Sequence, residues 1–233
     1  MNISIWSDIR CPFCYIGKRN FEKALANFPH KDHVIVEWKS FELDPTMETR
    51  TDISGLAHFM QAKNVDKPTA EGMFANVTTM AQTVDLDFQF NKMIPANSLK
   101  AHRLLHFAKK YDVADAAKEV LLKAHLIEGE NIDDVAVLMQ LAVKIGLEPT
   151  EVKTMIDSED FIYEVRQDQM EARNLGINGV PFFVLDHTYG ISGAQPVAVF
   201  TETLEKAWEK HQEQITIVPD TTDNACAIDG NCD

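Results

Sequence analysis

Long apolar runs and a secretory leader are both missing from the sequence. No apolar stretch approaches the roughly 20 residues that a membrane span requires. Met1 leads directly into the residues NISIWSDIR, which show no basic segment, no apolar segment and no small-residue cleavage site. We therefore expect a soluble cytoplasmic protein. In that compartment a close pair of cysteines is more often catalytic, redox-sensing or metal-binding than structural.

Basic residues are also scarce. The 22 lysines and arginines are outnumbered by 36 acidic residues, which gives the 233-residue chain a formal net charge of -14. Such a field repels phosphate backbones and anionic lipids. We therefore expect neither nucleic acid nor a membrane among the partners, and the sequence does not determine the oligomeric state.

Cysteine is limited to four residues, and two of them lie close together in SDIRCPFCYIGK, residues 7 to 18. The preceding residues alternate Ile3 and Ile5 with polar neighbours, which predicts a strand, and the apolar residues after Pro12 follow helical spacing. Cys11 and Cys14 would then share the first helical turn, with Cβ atoms about 5 Å apart and close to disulfide range. This spacing favours a pair of cysteines that reversibly forms and breaks a disulfide bond.

The start of a helix stabilises a thiolate. Unpaired backbone N–H groups and the positive end of the helix dipole can lower a thiol pKa from about 8.5 to between roughly 3.5 and 7.5. We therefore expect Cys11 to be exposed, reactive and the attacking sulfur, with Cys14 resolving the mixed disulfide. A zinc site would need a second ligand pair at short spacing. The remaining cysteines, Cys226 and Cys232, lie in the acidic C-terminal segment, so we expect no metal.

The remaining sequence changes its pattern twice. HVIVEWKSFEL, residues 33 to 43, predicts a second strand and completes a strand-helix-strand unit that favours parallel pairing. From Asp44 to about Gln167 the apolar spacing predicts only helices, in segments starting at residues 52, 69, 97, 114, 133 and 158. GVPFFVLD and HTYGISGAQ, residues 179 to 195, then predict a hairpin before a last helix.

A proline inside the strand INGVPFFV is unusual, because Pro181 removes a donor from the sheet. A cis Val180–Pro181 bond at a sheet edge would resolve the conflict and expose the Val180 backbone to a substrate strand. The alternative is a trans proline on an edge strand. Trp6 and Phe13 offer an apolar rim for peptide docking, although core packing explains them equally well. We count Pro12, Phe13, Val180 and Pro181 as candidate substrate-binding residues.

Polar side chains of the helical segment give weaker signals. His102 and His106 lie four apart on one predicted helix and His125 on the next, a spacing that allows a metal site. No carboxylate completes an H-E-x-x-H arrangement, so packing or capping explains the histidines better. Asn97 is expected to be the N-cap of its helix, with contact to a substrate as the alternative.

CPFC after a first strand, a helical middle, then GVPFFV and SGAQP before a closing helix resembles the DsbA-like branch of the thioredoxin superfamily. The chain is most similar to FrnE-type oxidoreductases, which share FELDP, NSLKAHRL and EGENI at 41–45, 97–104 and 128–132. The resemblance covers about residues 3–210. It implies an α/β thioredoxin fold with a large α-helical insertion: residues 1–45 and 168–212 form the thioredoxin-like domain, 46–167 the insertion, and 213–233 an acidic tail.

The resemblance also implies thiol–disulfide exchange with protein or small thiol substrates. Cys11 would be the nucleophile, Cys14 the resolving cysteine and Pro181 the cis-proline, with no bound cofactor and with glutathione as an allowed co-substrate. Phe13 stands where periplasmic DsbA proteins have histidine and supplies no cationic donor, so the direction of electron flow stays open.

Three further roles remain to be weighed. A glutathione-dependent isomerase or a kappa-type glutathione transferase shares this architecture but usually has serine where this chain has Cys11. A non-enzymatic redox sensor would report oxidation through its tail cysteines. Cys226 and Cys232 could also act as an auxiliary dithiol that exchanges with the Cys11–Cys14 disulfide.

Overall fold

The sheet that organises the molecule has four strands. The structure is a computed structural model, which describes residues 1–213. The strands are β1 (Asn2–Ser7), β2 (Ile35–Ser40), β3 (Phe182–Leu185) and β4 (Tyr189–Ser192), in the spatial order β2-β1-β3-β4. β1 pairs with β2 in parallel, whereas β1–β3 and β3–β4 are antiparallel. The predicted parallel unit and the predicted hairpin are both confirmed.

The helices follow the order that the resemblance implies. One helix joins β1 to β2, seven lie between β2 and β3, and one follows β4: α1 (Pro12–Ala26), α2 (Gly55–Lys63), α3 (Lys67–Gln82), α4 (Leu99–Lys109), α5 (Ala114–Lys123), α6 (Val135–Lys144), α7 (Pro149–Asp157), α8 (Ile162–Asn174) and α9 (Val197–Glu213). A π-helical turn, Ala124–Glu128, extends α5. None of the described helices is long and apolar enough to cross a membrane.

Strand β1 is buried on both faces, which fixes the layers of the fold. Ile3 and Ile5 face a core that contains Phe183 and residues of α1 and α9. Trp6 points to the other face, where it packs with Ala172 of α8 and donates its Nε1–H to a backbone carbonyl of α8 at 2.9 Å. Each such apolar side chain contributes about 1.5–3 kcal/mol when removed from water. The end of β1, where the cysteine pair begins, is therefore held from both sides.

Two details of the helical segment differ from the expectation. Helix α7 was not predicted. It has only nine residues and starts at Pro149, so its apolar residues Val152, Met155 and Ile156 span too little of the sequence to show a clear period. Helix α8 begins at Ile162, four residues after the start of the predicted segment at 158, and it runs across the proposed domain boundary at 167/168. The division into domains stays a prediction, and the tail with Cys226 and Cys232 lies outside the described residues.

Candidate active site

The two cysteines lie at the start of α1. Cys11 is the N-cap residue, and its carbonyl oxygen accepts a hydrogen bond from the Cys14 N–H at 3.0 Å. Both thiols are free. The expectation of an exposed Cys11 is wrong: Cys11 is 4% exposed and Cys14 1%, because the Val180 segment covers the helix start. Cys11 nevertheless lines a groove on the surface, whereas Cys14 does not.

The pKa values of the two thiols differ from the expectation for an isolated helix start. The hydrogen bond with Cys14, followed by burial, raises the pKa of Cys11. Burial also raises the pKa of Cys14, but the hydrogen bond from Cys11 and the positive charge of Lys118 outweigh it and lower that pKa. Because the two thiols interact this closely, the first ionisation belongs to the pair.

The segment around Pro181 borders the pair directly. The Val180–Pro181 peptide bond is cis, and Sγ of Cys11 lies 3.6 Å from the Val180 carbonyl oxygen. Among residues 1–213 the Val180 N–H donates to no acceptor. Gly17 brings α1 against this segment, since a Cβ there would lie 2.9 Å from Cγ of Pro181. Cys11 and Val180 thus present one thiol and one free backbone donor side by side.

Asp8 anchors the loop that carries the cysteines. Its buried carboxylate accepts the Arg10 N–H at 3.1 Å and the Leu43 N–H at 2.9 Å, and it lies 3.4 Å from Nε2 of His102. Burial alone would raise the pKa of Asp8, but the hydrogen bond and charge of His102, with the charge of Arg10, lower it well below its usual range. Asp8 is thus an ionised side chain that links the end of β1 to the loop after β2 and to α4.

The predicted histidine cluster is a buried hydrogen-bond chain. His102 Nδ1 lies 3.0 Å from Oγ of Ser40, which lies 3.1 Å from Nε2 of His106. His106 in turn lies 3.0 Å from a carboxylate oxygen of Asp168 on α8. No group of three or more His, Cys, Asp or Glu side chains within the described range is placed to hold a metal. His102 and His106 therefore join α4 to the sheet and to α8.

Asn97 caps α4 from one position further out than expected. The N-cap residue is Ser98, which makes no capping bond with its side chain. Asn97 Oδ1 instead accepts the Leu99 N–H at 2.8 Å, and its Nδ2 donates to the Met47 carbonyl at 2.8 Å. Asn97 does not line the groove beside Cys11. The structure gives it a capping role.

A groove of about 770 Å³ opens at Cys11 between the cysteine loop, α2 and α3. Its lining is mostly apolar and includes Pro12, the exposed Phe13, and the following residues of the helical segment and its loops: Met47, Phe59, Met73, Phe74, Val77, Met80, Phe90 and Met93. Neither the groove nor its flexible methionine lining was predicted, because it joins segments that are distant in sequence. Its place beside a thiol makes it the candidate substrate-binding surface.

His125 lies in this groove and not at a metal site. It is on the π-helical turn, 2% exposed, and its Nδ1 has no hydrogen-bond partner among the described residues. Burial, with the charge of Arg10 nearby, lowers the pKa of His125 to about 4. His125 is therefore a neutral imidazole at the wall of the groove.

The most informative residue that sequence reasoning missed is Lys118 on α5. It is fully buried, its Nζ donates to the Ser7 carbonyl oxygen at 3.3 Å, and it lies 5.5 Å from the centre of the Trp38 ring. The available signal was its position three and four residues before Leu121 and Leu122, on the apolar stripe of its helix. A lysine on that stripe buries at least its methylene stem, and here the ammonium is buried as well.

The geometry agrees with what comparison with known proteins finds. Residues 2–205 match the model of the DSBA-like thioredoxin domain, and the chain belongs to this family. It is 37% identical to the probable DsbA oxidoreductase SCO1869 of Streptomyces coelicolor, a solved structure with a TM-score of 0.87 that covers 99% of this chain and 97% of the other. The thioredoxin fold with a helical insertion is confirmed.

Two further relatives have a lower sequence identity to this chain. The uncharacterized protein YwbO of Bacillus subtilis is 29% identical over 213 residues, 90% of this chain and 98% of that protein. The cytosolic disulfide reductase DsbM of Pseudomonas aeruginosa, solved with GSH, is similar in fold, with a TM-score of 0.65, 19% identity and coverage of 90% of this chain and 100% of the other. The FrnE-type subgroup stays a prediction.

Proposed function

We propose that the protein is a thiol–disulfide oxidoreductase that works through a Cys11–Cys14 redox couple on protein or small thiol substrates. The observation that supports this best is the placement of Cys11 on the groove with Cys14 hydrogen-bonded behind it. A cytoplasmic location is part of the proposal. Recovery of the protein in a periplasmic or extracellular fraction would contradict that part.

The proposed reaction in the reducing direction has two steps. The Cys11 proton moves to Cys14 across their hydrogen bond, and the Cys11 thiolate attacks a substrate disulfide. One Cys11–substrate S–S bond forms, the substrate S–S bond breaks, and the first substrate sulfur leaves as a thiolate. Cys14 then gives its proton to the released substrate thiolate, and the Cys14 thiolate attacks Cys11. The second substrate sulfur leaves as a thiolate, and the Cys11–Cys14 disulfide holds the two oxidising equivalents. The oxidising direction is the same sequence in reverse.

The groove favours apolar peptide substrates. A substrate sulfur at Cys11 places the neighbouring residues of its chain between Phe13, α2 and α3, where methionine side chains adapt to different apolar shapes. The free Val180 N–H can pair with the substrate backbone. Glutathione remains an allowed small co-substrate, and the basic side chains of Arg10 and Lys63 also line the groove.

Trapping of mixed disulfides tests the order of the cysteines. Cys14→Ser should accumulate mixed disulfides through Cys11 when mixed with an oxidised, unfolded protein, because nothing resolves them. Cys11→Ser should accumulate none. Trapping by Cys11→Ser, or by neither variant, would overturn the assignment.

A charge placed in the groove tests the substrate class. Met80→Asp alters a groove residue of α3 that is 41% exposed, and Val143→Asp alters an apolar residue of α6 that is 53% exposed and does not line the groove. Met80→Asp should raise KM for an unfolded disulfide-bonded protein about tenfold, an effect of about 1.4 kcal/mol, with little change for oxidised glutathione. Equal losses for the two substrates, or equal effects of the two variants, would contradict an apolar peptide site.

The alternatives predict different uses of Cys14. A glutathione-dependent isomerase or transferase takes its thiol from bound glutathione and gains nothing from a second sulfur behind Cys11. A redox sensor would show negligible turnover. The auxiliary role of Cys226 and Cys232 stays a proposal: deletion after Pro219 should slow turnover without changing Tm, and a full rate in the truncated protein would refute it.

A further inference from the structure

Lys118 is a buried cation without a carboxylate partner. It is 0% exposed, and no Asp or Glu oxygen within residues 1–213 lies within 4 Å of its Nζ. Its hydrogen bond is to the Ser7 carbonyl, and the face of Trp38 covers it on another side. An ammonium removed from water costs several kcal/mol unless negative charge compensates it. The compensating charge must therefore lie within reach but beyond a direct ion pair.

The negative groups that face Lys118 are those of the cysteine loop. Cys14, Asp8 and Cys11 interact favourably with its charge, and the cation of Lys18 opposes it. Burial outweighs these attractions and lowers the pKa of Lys118 to about 8. At neutral pH the side chain therefore remains mostly protonated and keeps its positive charge beside the dithiol.

Ser7 connects the lysine to the resolving cysteine. Its carbonyl oxygen accepts from Lys118, and its side chain helps to lower the pKa of Cys14. Ser7 is the last residue of β1, and Lys118 comes from α5, 111 positions later in the chain. The helical segment thus places a buried positive charge beside the end of β1, outside the groove.

We propose that the Lys118 ammonium holds the negative charge of the reduced dithiol on Cys14, and thereby tunes the reduction potential and speeds the resolving step. The inference rests on the proposed function. Lys118 acts through Cys14, since the groove does not expose it to substrate. In the resolving step the Cys14 thiolate attacks Cys11 of the mixed disulfide, the Cys11–Cys14 bond forms, and the substrate leaves as a thiolate that takes a proton from solvent. No further oxidant or reductant is required.

Replacement of Lys118 with methionine removes the charge at similar volume. Lys118→Met should raise the first pKa of the dithiol, followed by thiolate absorbance, by about one unit. At a pH above the first dithiol pKa of both proteins, the equilibrium between the reduced and disulfide forms in a glutathione redox buffer should shift about tenfold toward the disulfide. The reduction potential then becomes about 30 mV more negative. In a Lys118→Met protein with both cysteines, mixed disulfides with an oxidised substrate should persist longer. Lys123→Met, on the same helix but with an exposed side chain, is the control and should change none of these values.

A second variant guards against misfolding. Lys118→Gln keeps a donor for the Ser7 carbonyl and lacks the charge, so it should shift the thiolate titration as Lys118→Met does. If both variants titrate as the wild type does, Lys118 only fills the core and the proposal is wrong. The titration needs no substrate. A wild-type pair that forms no disulfide in glutathione buffers would refute the proposed function, while the effect of Lys118 on thiol ionisation would still be measured.

Discussion

Asp8→Asn is the sharpest test of how the cysteine loop is held in place. The wild-type carboxylate accepts the N–H groups of Arg10 and Leu43 on its two oxygens and faces His102. Asparagine has nearly the same shape but only one acceptor oxygen. Its NH₂ group must therefore face one of the two backbone donors.

The expected cost follows from those contacts. A hydrogen bond to a charged group contributes about 1.5–3 kcal/mol, and a buried donor left unpaired costs about 1–3 kcal/mol. These effects overlap because they concern the same groups. We therefore expect Asp8→Asn to lower the free energy of unfolding by about 2–4 kcal/mol at about pH 7, whereas Asp32→Asn, an exposed control with the same change in charge, should change it by less than about 0.5 kcal/mol.

The stability difference between wild type and Asp8→Asn should depend on pH, whereas a loss of packing alone would not. The pKa of Asp8 is lowered in the folded protein, so its stabilisation is fully present above the unfolded value of about 3.9 and is lost as the pH falls toward the folded value. In that window the difference between wild type and Asp8→Asn should shrink by about 1.4 kcal/mol per pH unit. Urea denaturation of the reduced proteins at several pH values measures it. A difference that is equally large at about pH 7 and about pH 3 would refute an ionised Asp8.

Two further predictions use matched pairs. Gly72→Ala adds a Cβ with no atom near it and should stabilise α3 by up to about 1 kcal/mol. Gly17→Ala should destabilise the fold by about 1–3 kcal/mol, because its Cβ would lie 2.9 Å from Pro181. Thermal melts measure both effects, and a stabilising Gly17→Ala would contradict the close contact. Phe183→Ala, at 0% exposure, should cost about 3–5 kcal/mol in urea denaturation and Tyr163→Ala, at 74%, less than about 0.5 kcal/mol; similar costs would show that the core is elsewhere.

Local patterns were enough to predict the sheet and the place of the cysteines. Alternation in NISIWSD and a proline at the first helical position are properties of a few neighbouring residues, so β1 and α1 could be expected. The same holds for the hairpin around 186–188. Helix α7 has too few residues to show a period, and the start of α8 is set by tertiary packing. Such elements are visible only once their neighbours are in place.

The environment of the thiols could not be predicted in the same way. The expectation of an exposed Cys11 came from the geometry of one helix, but the atoms that bury it belong to Val180, 169 positions later. The lowered pKa of Cys14 depends in part on Lys118, and the groove depends on α2 and α3. All of these are contacts between distant segments, and no local spacing encodes them. Of the residues around the sulfurs, the sequence indicated those in the motif and in the proline loop.

The distribution of positive charge around the pair bears on the open question of electron flow. Phe13 provides no cation inside the motif, which on its own would leave the attacking thiolate without charge stabilisation. Lys118 supplies a cation from the opposite side, and it acts on Cys14 more than on Cys11. A charge in that position stabilises the reduced pair and favours closure of the Cys11–Cys14 disulfide from a mixed disulfide, without making Cys11 itself a better leaving group. Such a charge makes the reduction potential of the couple less negative. The helical segment, which carries both Lys118 and the groove, should therefore be where the potential and the substrate preference are changed together.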